Sequence, residues 1–198
     1  MKQLTALSSL MCKSVDELAI NIDAISSQLE AASDHIVNTL LNDGKLLICS
    51  NSYAAPFGEI LTTSLMHQQA FERPSLPAIN LSIDSTTISA IGNNGNHHNV
   101  YAKQIRAIGR KGDCLITLSI EGNCSNLVQA IQIAHEKEID VVAISGFENG
   151  KLAETLQQKD REVTLHAQSL TNAMELMLVS VNGLCRKIES QLFGIPID

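Results

Sequence analysis

The runs Leu46-Leu47-Ile48-Cys49, Pro77-Ala78-Ile79-Asn80-Leu81, Cys114-Leu115-Ile116-Thr117-Leu118 and Ile139-Asp140-Val141-Val142-Ala143-Ile144 decide how this chain folds. Each is short and aliphatic with few polar interruptions, the pattern of a strand covered on both faces in a parallel sheet. A weaker run from Glu162 to Leu165 predicts a fifth strand at an edge. Amphipathic segments at about 55–69, 85–92, 98–109, 124–137 and 168–193 lie between and after these runs. Strand and helix repeated in this order predict a doubly wound α/β/α sandwich, three layers deep, joined by right-handed crossovers.

Before the first run, Leu18, Ile20, Ile22, Ile25 and Leu29, then Ile36, Val37, Leu40 and Leu41, fall at helical spacing, and Asn42-Asp43-Gly44 stops the pattern. Residues 1 to about 43 therefore form a helical extension, as one long helix or two in succession. With no repeat, low-complexity tract or linker, residues 1–198 are expected to make one domain.

Charged residues make up 18% of the chain and hydrophobic ones 44%, against roughly 25% charged in an average soluble protein. Polar surface is scarce, and some apolar surface is expected to meet other subunits. Fourteen Lys and Arg against twenty-one Asp and Glu leave a net charge of −7, which repels phosphodiester backbones and anionic membranes. Direct nucleic-acid binding is not expected. No apolar stretch reaches the 18 or so residues of a membrane span, so the expectation is a cytoplasmic protein. Cys12, Cys49, Cys114, Cys124 and Cys185 form no C-x-x-C pair and sit mainly in apolar runs, as reduced thiols do.

In such sheets ligands bind beyond the carboxyl ends of the strands, where the strand order reverses. The loops there are Ser50-Asn51-Ser52, Ser82 with Asp84, Ser119 to Ser125, and Ser145-Gly146. Hydroxyls and amides leading into helix N-termini suit an anion such as the phosphate of a sugar. They also cap helices and turn chains without any ligand.

Several segments carry a resemblance: CSNSYAAPFGEILTTSL from Cys49, FERPSLPAINL from Phe71, VYAKQIRAIGRKGD from Val100, SIEGNCSNLVQAI from Ser119 and VVAISGFENGKLA from Val141. In this order and spacing, the chain resembles the sugar isomerase (SIS) domain family from about residue 10 to 193. It resembles the group holding phosphoheptose isomerases and DnaA initiator-associating proteins. The resemblance implies the SIS fold, flavodoxin-like with a five-stranded parallel sheet, and a homotetramer.

Isomerases of this group carry a His and, four residues later, a Glu on the helix after the first phosphate loop. They carry a Gln and, eight residues later, a His on the last helix, a set that holds zinc and moves protons. At the matching positions this chain has Ile60, Ser64, Met174 and Asn182. Ser64 and Asn182 resemble the initiator-associating branch. Without proton carriers, the general acid–base contribution of about 10²- to 10⁴-fold is lost. No catalytic residue and no metal site is therefore expected, and zinc only if the chain is an isomerase after all.

The family's first phosphate loop, Gly-Asn-Gly-x-Ser, here becomes Ser50-Asn51-Ser52-Tyr53-Ala54. Its second, Ser-Thr-Ser-Gly-Asn-Ser, becomes Ser119-Ile120-Glu121-Gly122-Asn123-Cys124. Candidate ligand-binding residues are Asn51, Ser52, Ser119, Gly122, Asn123 and Ser125. Glu121 about 5 Å from a phosphate would cost several kcal/mol at an effective dielectric near 20, weakening the binding of sugar phosphates without excluding it.

His97-His98 is either a metal or base pair or an ordinary polar loop. Cys124 is either a nucleophile favoured by a helix dipole or a plain thiol. Glu175 is either a structural carboxylate, paired with Arg or capping a loop, or a catalytic one. Tyr101 and Arg73-Pro74 read as packing and loop-positioning residues. Leu192 and Phe193 close the last helix before Gly194 and Pro196; Phe193 either folds back on its own sheet or anchors a partner. A similar Leu-Phe ending in the initiator-associating branch points to a partner surface for DnaA. The expected function is a non-catalytic, tetrameric scaffold that promotes chromosomal replication initiation. The alternatives are a divergent phosphoheptose isomerase acting on sedoheptulose 7-phosphate and a phosphosugar-binding module.

Overall fold

The computed structural model describes residues 5–67, 72–147 and 150–197. Residues 68 and 69, at the end of the expected helix 55–69, lie outside them. Helix α1 (Ala6–Leu41) is a single helix of 36 residues, about 54 Å long at 1.5 Å per residue. Thr5 caps it, its hydroxyl accepting from the Ser8 N–H. Asp43, at φ 60°, and Gly44 turn the chain into the sheet, where a Cβ on Gly44 would stand 2.2 Å from the Gly112 carbonyl oxygen. Only glycine fits that approach.

The sheet is parallel, with β1 (Leu46–Ser50), β2 (Ala78–Asn80), β3 (Cys114–Ser119), β4 (Asp140–Ser145) and β5 (Arg161–Thr164) in the order β2-β1-β3-β4-β5. Leu46 lies opposite Ala78 on one side and Cys114 on the other. The weak run at 162–165 is realised as an edge strand paired only with β4. Helix α2 (Ala55–Met66) follows β1; α3 (Ser85–Gly92) and α4 (Val100–Ile108) follow β2. Helices α5 (Ser125–Glu136), α6 (Lys151–Thr155) and α7 (Leu170–Phe193) follow β3, β4 and β5.

Alternation along the strands sorts the core into two layers. Ile48, Ile116, Ile144 and Val163 pack with α1, α2 and α7 on one face. Leu47, Cys49, Leu115 and Val141 pack with α4 and α5 on the other. Burial on both faces accounts for the unbroken aliphatic character of β1, β3 and β4.

The two halves of α1 differ. From Ile25 onward it packs against α7 and β5, and the Thr164 N–H donates to Gln28 Oε1 at 2.7 Å. Before Ile25 no residue of the helix is buried. Leu7, Leu10, Met11, Val15, Ile20 and Ile22 all face solvent there. No helix among the described residues is long and apolar enough to cross a membrane.

Candidate functional site

The strand order reverses between β1 and β3, so the loops after them flank the place where doubly wound sheets bind ligands. A crevice of about 130 Å³ lies there, lined by Asn51, Ser52, Tyr53, Ser119, Glu121 and Cys124, with Ile120, Phe147 and Leu170. Ligand pockets commonly run from about 300 Å³ upward. Among the described residues no Lys or Arg lines this one, and Glu121 supplies its one carboxylate.

Most of the polar groups expected to cradle a ligand are bonded within the protein. Asn51 Nδ2 donates to Asn126 Oδ1 at 2.8 Å, tying the first loop to the start of α5. Ser119 Oγ accepts the Gly122 N–H at 3.0 Å and lies 3.8 Å from Cys124 Sγ. Asn123 Nδ2 donates to the Glu121 carbonyl at 3.2 Å, and its Oδ1 accepts the Lys151 N–H at 3.0 Å. Gly122, at φ 69°, lies under Gly150, where a Cβ would come within 3.3 Å of the Gly150 Cα. Ser52 and Ser125 are exposed. Behind the crevice Tyr101 donates its hydroxyl to the Ser50 carbonyl at 2.7 Å, and Ser82 donates to the same oxygen at 2.7 Å. Burial pushes the Tyr101 phenol up to about 12, so it is a fixed strut rather than a proton carrier.

Ile60 and Ser64 lie four residues apart on α2 and line one open depression. Ile60 packs on the core and Ser64 is buried. Met174 also packs on that core from α7, whereas Asn182 on the same helix faces solvent. The Ser64 side chain hydrogen-bonds to Cys185, one turn past Asn182, which ties α2 to α7 at this level. Burial pushes the Cys185 thiol up to about 12.

The SIS domain family matches residues 12–146. A phosphoheptose isomerase from Chromohalobacter salexigens is 36% identical over 181 residues, spanning 91% of this chain and 92% of that protein. A DnaA initiator-associating protein DiaA from Edwardsiella ictaluri is 36% identical over 176 residues, with 89% and 90% covered. The structure of a phosphoheptose isomerase from Francisella tularensis matches with a TM-score of 0.89 at 29% identity, covering 94% of this chain and all of the other. That of the Neisseria gonorrhoeae enzyme gives 0.86 at 27%, covering 93% and 97%.

This chain belongs to the SIS domain family.

Membership makes the first loop informative. Ser52, at the second glycine of the SIS phosphate loop, has φ 51°, a region that glycine enters freely and other residues at a cost of about 1–2 kcal/mol. Ser52 thus holds a left-handed conformation that a glycine would adopt without that cost. Ser50 replaces the first glycine, and its side chain occupies the space beside Gly58 that a Cβ there would need.

The zinc used by SIS isomerases does not fit these residues. An aliphatic chain, a thioether, a hydroxyl and an amide stand where a metal needs imidazole, carboxylate or thiolate. The nearest thiol, Cys185, is held protonated.

The remaining candidates resolve individually. His98 Nε2 lies 3.0 Å from the neighbouring Asn99 amide. No group of three His, Cys, Asp or Glu able to hold a metal occurs among the described residues. Cys124 is half-buried at the start of α5. Among the described residues Glu175 has no Arg partner and caps no loop, and its buried Oε2 has no hydrogen-bond partner there. Phe193 is 37% exposed and lies over Arg73, whose Cζ is 5.7 Å from the ring centroid. Leu192 packs partly against the core.

The sequence reading missed Phe147, Leu170 and Asn126. Phe147 directly follows the flagged Ser145-Gly146 loop, so its place at a strand end was the available signal. Asn126 gave none, because its bond to Asn51 crosses 75 residues.

Proposed function

We propose that this chain is a non-catalytic SIS-domain protein of the DnaA initiator-associating kind, a cytoplasmic homotetramer that promotes chromosomal replication initiation by binding DnaA. The reading is carried by Ile60, Ser64, Met174 and Asn182, none of which moves a proton near neutral pH. The small crevice supports it, because among its described lining residues an anionic sugar would meet Glu121 and no cation. The exposed apolar residues of α1 before Ile25 supply surface for self-association. A symmetric assembly raises the effective concentration of the DnaA molecules it holds, without touching DNA itself. DnaA is named here through the relatives called DnaA initiator-associating proteins.

The test is binding of the purified chain to immobilised DnaA, with its mass measured by light scattering. Micromolar or tighter binding by a tetramer is expected. A monomeric mass with no binding at micromolar concentration contradicts the proposal.

A divergent phosphoheptose isomerase is the second reading, favoured by the left-handed conformation at Ser52, which suits the glycine of the family's loop, and by the equal similarity to the Chromohalobacter enzyme. Zinc-supplemented turnover of sedoheptulose 7-phosphate, lost on Ser119→Ala, would establish it. A thermal shift with sugar phosphates but no turnover would instead mark a sugar-phosphate-binding module.

A further inference from the structure

Arg73 is a cation whose side chain is only 2% exposed, and among the described residues its partners are the ends of α2 and α7 and the carbonyl of its neighbour Pro74. Its Nη2 donates to the Ser64 carbonyl at 2.6 Å, and its Nη1 to the carbonyls of Leu65 at 3.0 Å and Pro74 at 2.9 Å. Ser64 and Leu65 belong to the last turn of α2, whose carbonyls lack helical partners and carry the negative end of the dipole. Its Nε donates to Glu189 Oε1 at 2.8 Å. Glu189 is likewise 2% exposed, and its Oε2 has no hydrogen-bond partner among the described residues. One turn further along α7, the Phe193 ring lies within cation–π reach of the same guanidinium.

We infer that Arg73 is a positioning residue for the C-terminal partner surface: clamped to the end of α2 and to Glu189, it holds the Phe193 ring in place for a protein partner. The inference rests on the proposed role of Phe193 as a DnaA contact. The planar guanidinium serves three carbonyls and a carboxylate through separate N–H groups while leaving its face to the ring. A lysine ammonium keeps the charge but loses that fork and that face. Fixing an aromatic anchor before binding reduces the ordering cost that association must otherwise meet. The same guanidinium also backs Ser64, one of the positions where SIS isomerases carry a proton carrier, so the changed α2 position and the contact surface share one support.

The chain contains no tryptophan, so Phe193→Trp places a single indole on this corner, excited selectively at wavelengths beyond tyrosine absorption. Expected is an ordered indole with high anisotropy while Arg73 is present, and a red-shifted, low-anisotropy indole once Arg73→Lys is added. DnaA binding by Arg73→Lys is expected to weaken about tenfold, as on loss of an anchor. Phe193→Ala should cost about tenfold in the parent and less than about twofold in the Arg73→Lys background. Far-UV circular dichroism confirms folding. If Arg73→Lys does not fold, Glu189→Gln takes its place, with a loss of about threefold in the same direction. Unchanged anisotropy, or binding losses that simply multiply, overturns the inference whatever the stability change. Failure of the unaltered chain to bind DnaA instead removes DnaA as the partner, while the fluorescence separately decides whether Arg73 holds the ring.

Discussion

The two ends of the sheet use charge in opposite ways. At the amino ends of the strands, carboxylates are buried and fully engaged. Asp113 accepts the N–H groups of Lys45 at 3.1 Å and Arg110 at 2.7 Å and pairs with the Lys45 ammonium. Asp160 accepts the Val141 and Gln157 N–H groups at 3.0 and 2.7 Å and lies 2.7 Å from His135 Nε2. At the carboxyl ends, where SIS enzymes bind sugar phosphates, the loops are joined by neutral amides and hydroxyls, and among the described residues the crevice is lined by one carboxylate and no cation. The difference teaches that buried, paired charge holds one rim together, while the described loops of the other are held mainly by neutral hydrogen bonds.

The largest effect that would break this contrast is at Asp160. Asp160→Ala strands two backbone N–H groups and the His135 ring in a buried setting, and should cost about 3–5 kcal/mol in urea unfolding. A loss below about 1 kcal/mol would mean that the lower rim is not the stabilising one. At the opposite rim, Glu121→Gln removes the one charge that lines the crevice among the described residues. It should strengthen binding of inorganic phosphate about tenfold by calorimetry, the exposure of Glu121 tempering the full Coulomb repulsion. Unchanged or weaker binding would show that the side chain does not face the anion.

Much of the contrast was legible in advance, but unevenly. The aliphatic runs placed β1, β3 and β4 to within a residue or two, because a strand buried on both faces has to be aliphatic throughout. The β5 edge is a strand of four residues, Arg161–Thr164, with Arg161 and Glu162 at least partly exposed, and its signal was correspondingly faint. Ile60, Ser64, Met174 and Asn182 were visible because family resemblance assigns positions directly. The internal bonding of Asn51, Ser119 and Asn123 was hidden, since hydroxyls and amides suit a ligand and a loop equally well. The Arg73–Glu189 pair was hidden because its members are 116 residues apart and nothing in either segment names the other.

A smaller effect sharpens the role of the lower rim. His35 on α1 lies 3.5 Å from Asp140. Burial lowers its pKa from 6.5; Asp140 and Asp160 oppose that shift, while Arg161 and Lys159 add to it. The folded state thus disfavours the imidazolium. Its contribution is fully present above about pH 6.5 and is lost as the pH falls through the lowered value. His35→Gln should flatten the decline in unfolding free energy between about pH 6.5 and 5; an unaltered slope would place the acid sensitivity elsewhere.

Smallest is Ser52→Gly. Relief of the left-handed backbone exceeds the added freedom of the unfolded chain only slightly, so a gain of about 0.5 kcal/mol is expected from thermal unfolding. A loss would show that the Ser52 side chain contributes a contact that outweighs its strain.

The most direct measurement is turnover of sedoheptulose 7-phosphate by the purified chain with added zinc, followed by exchange of the substrate α-proton with deuterated solvent. The account predicts exchange no faster than in buffer alone. Zinc-dependent exchange that saturates with substrate, and persists through purification to homogeneity, would contradict it.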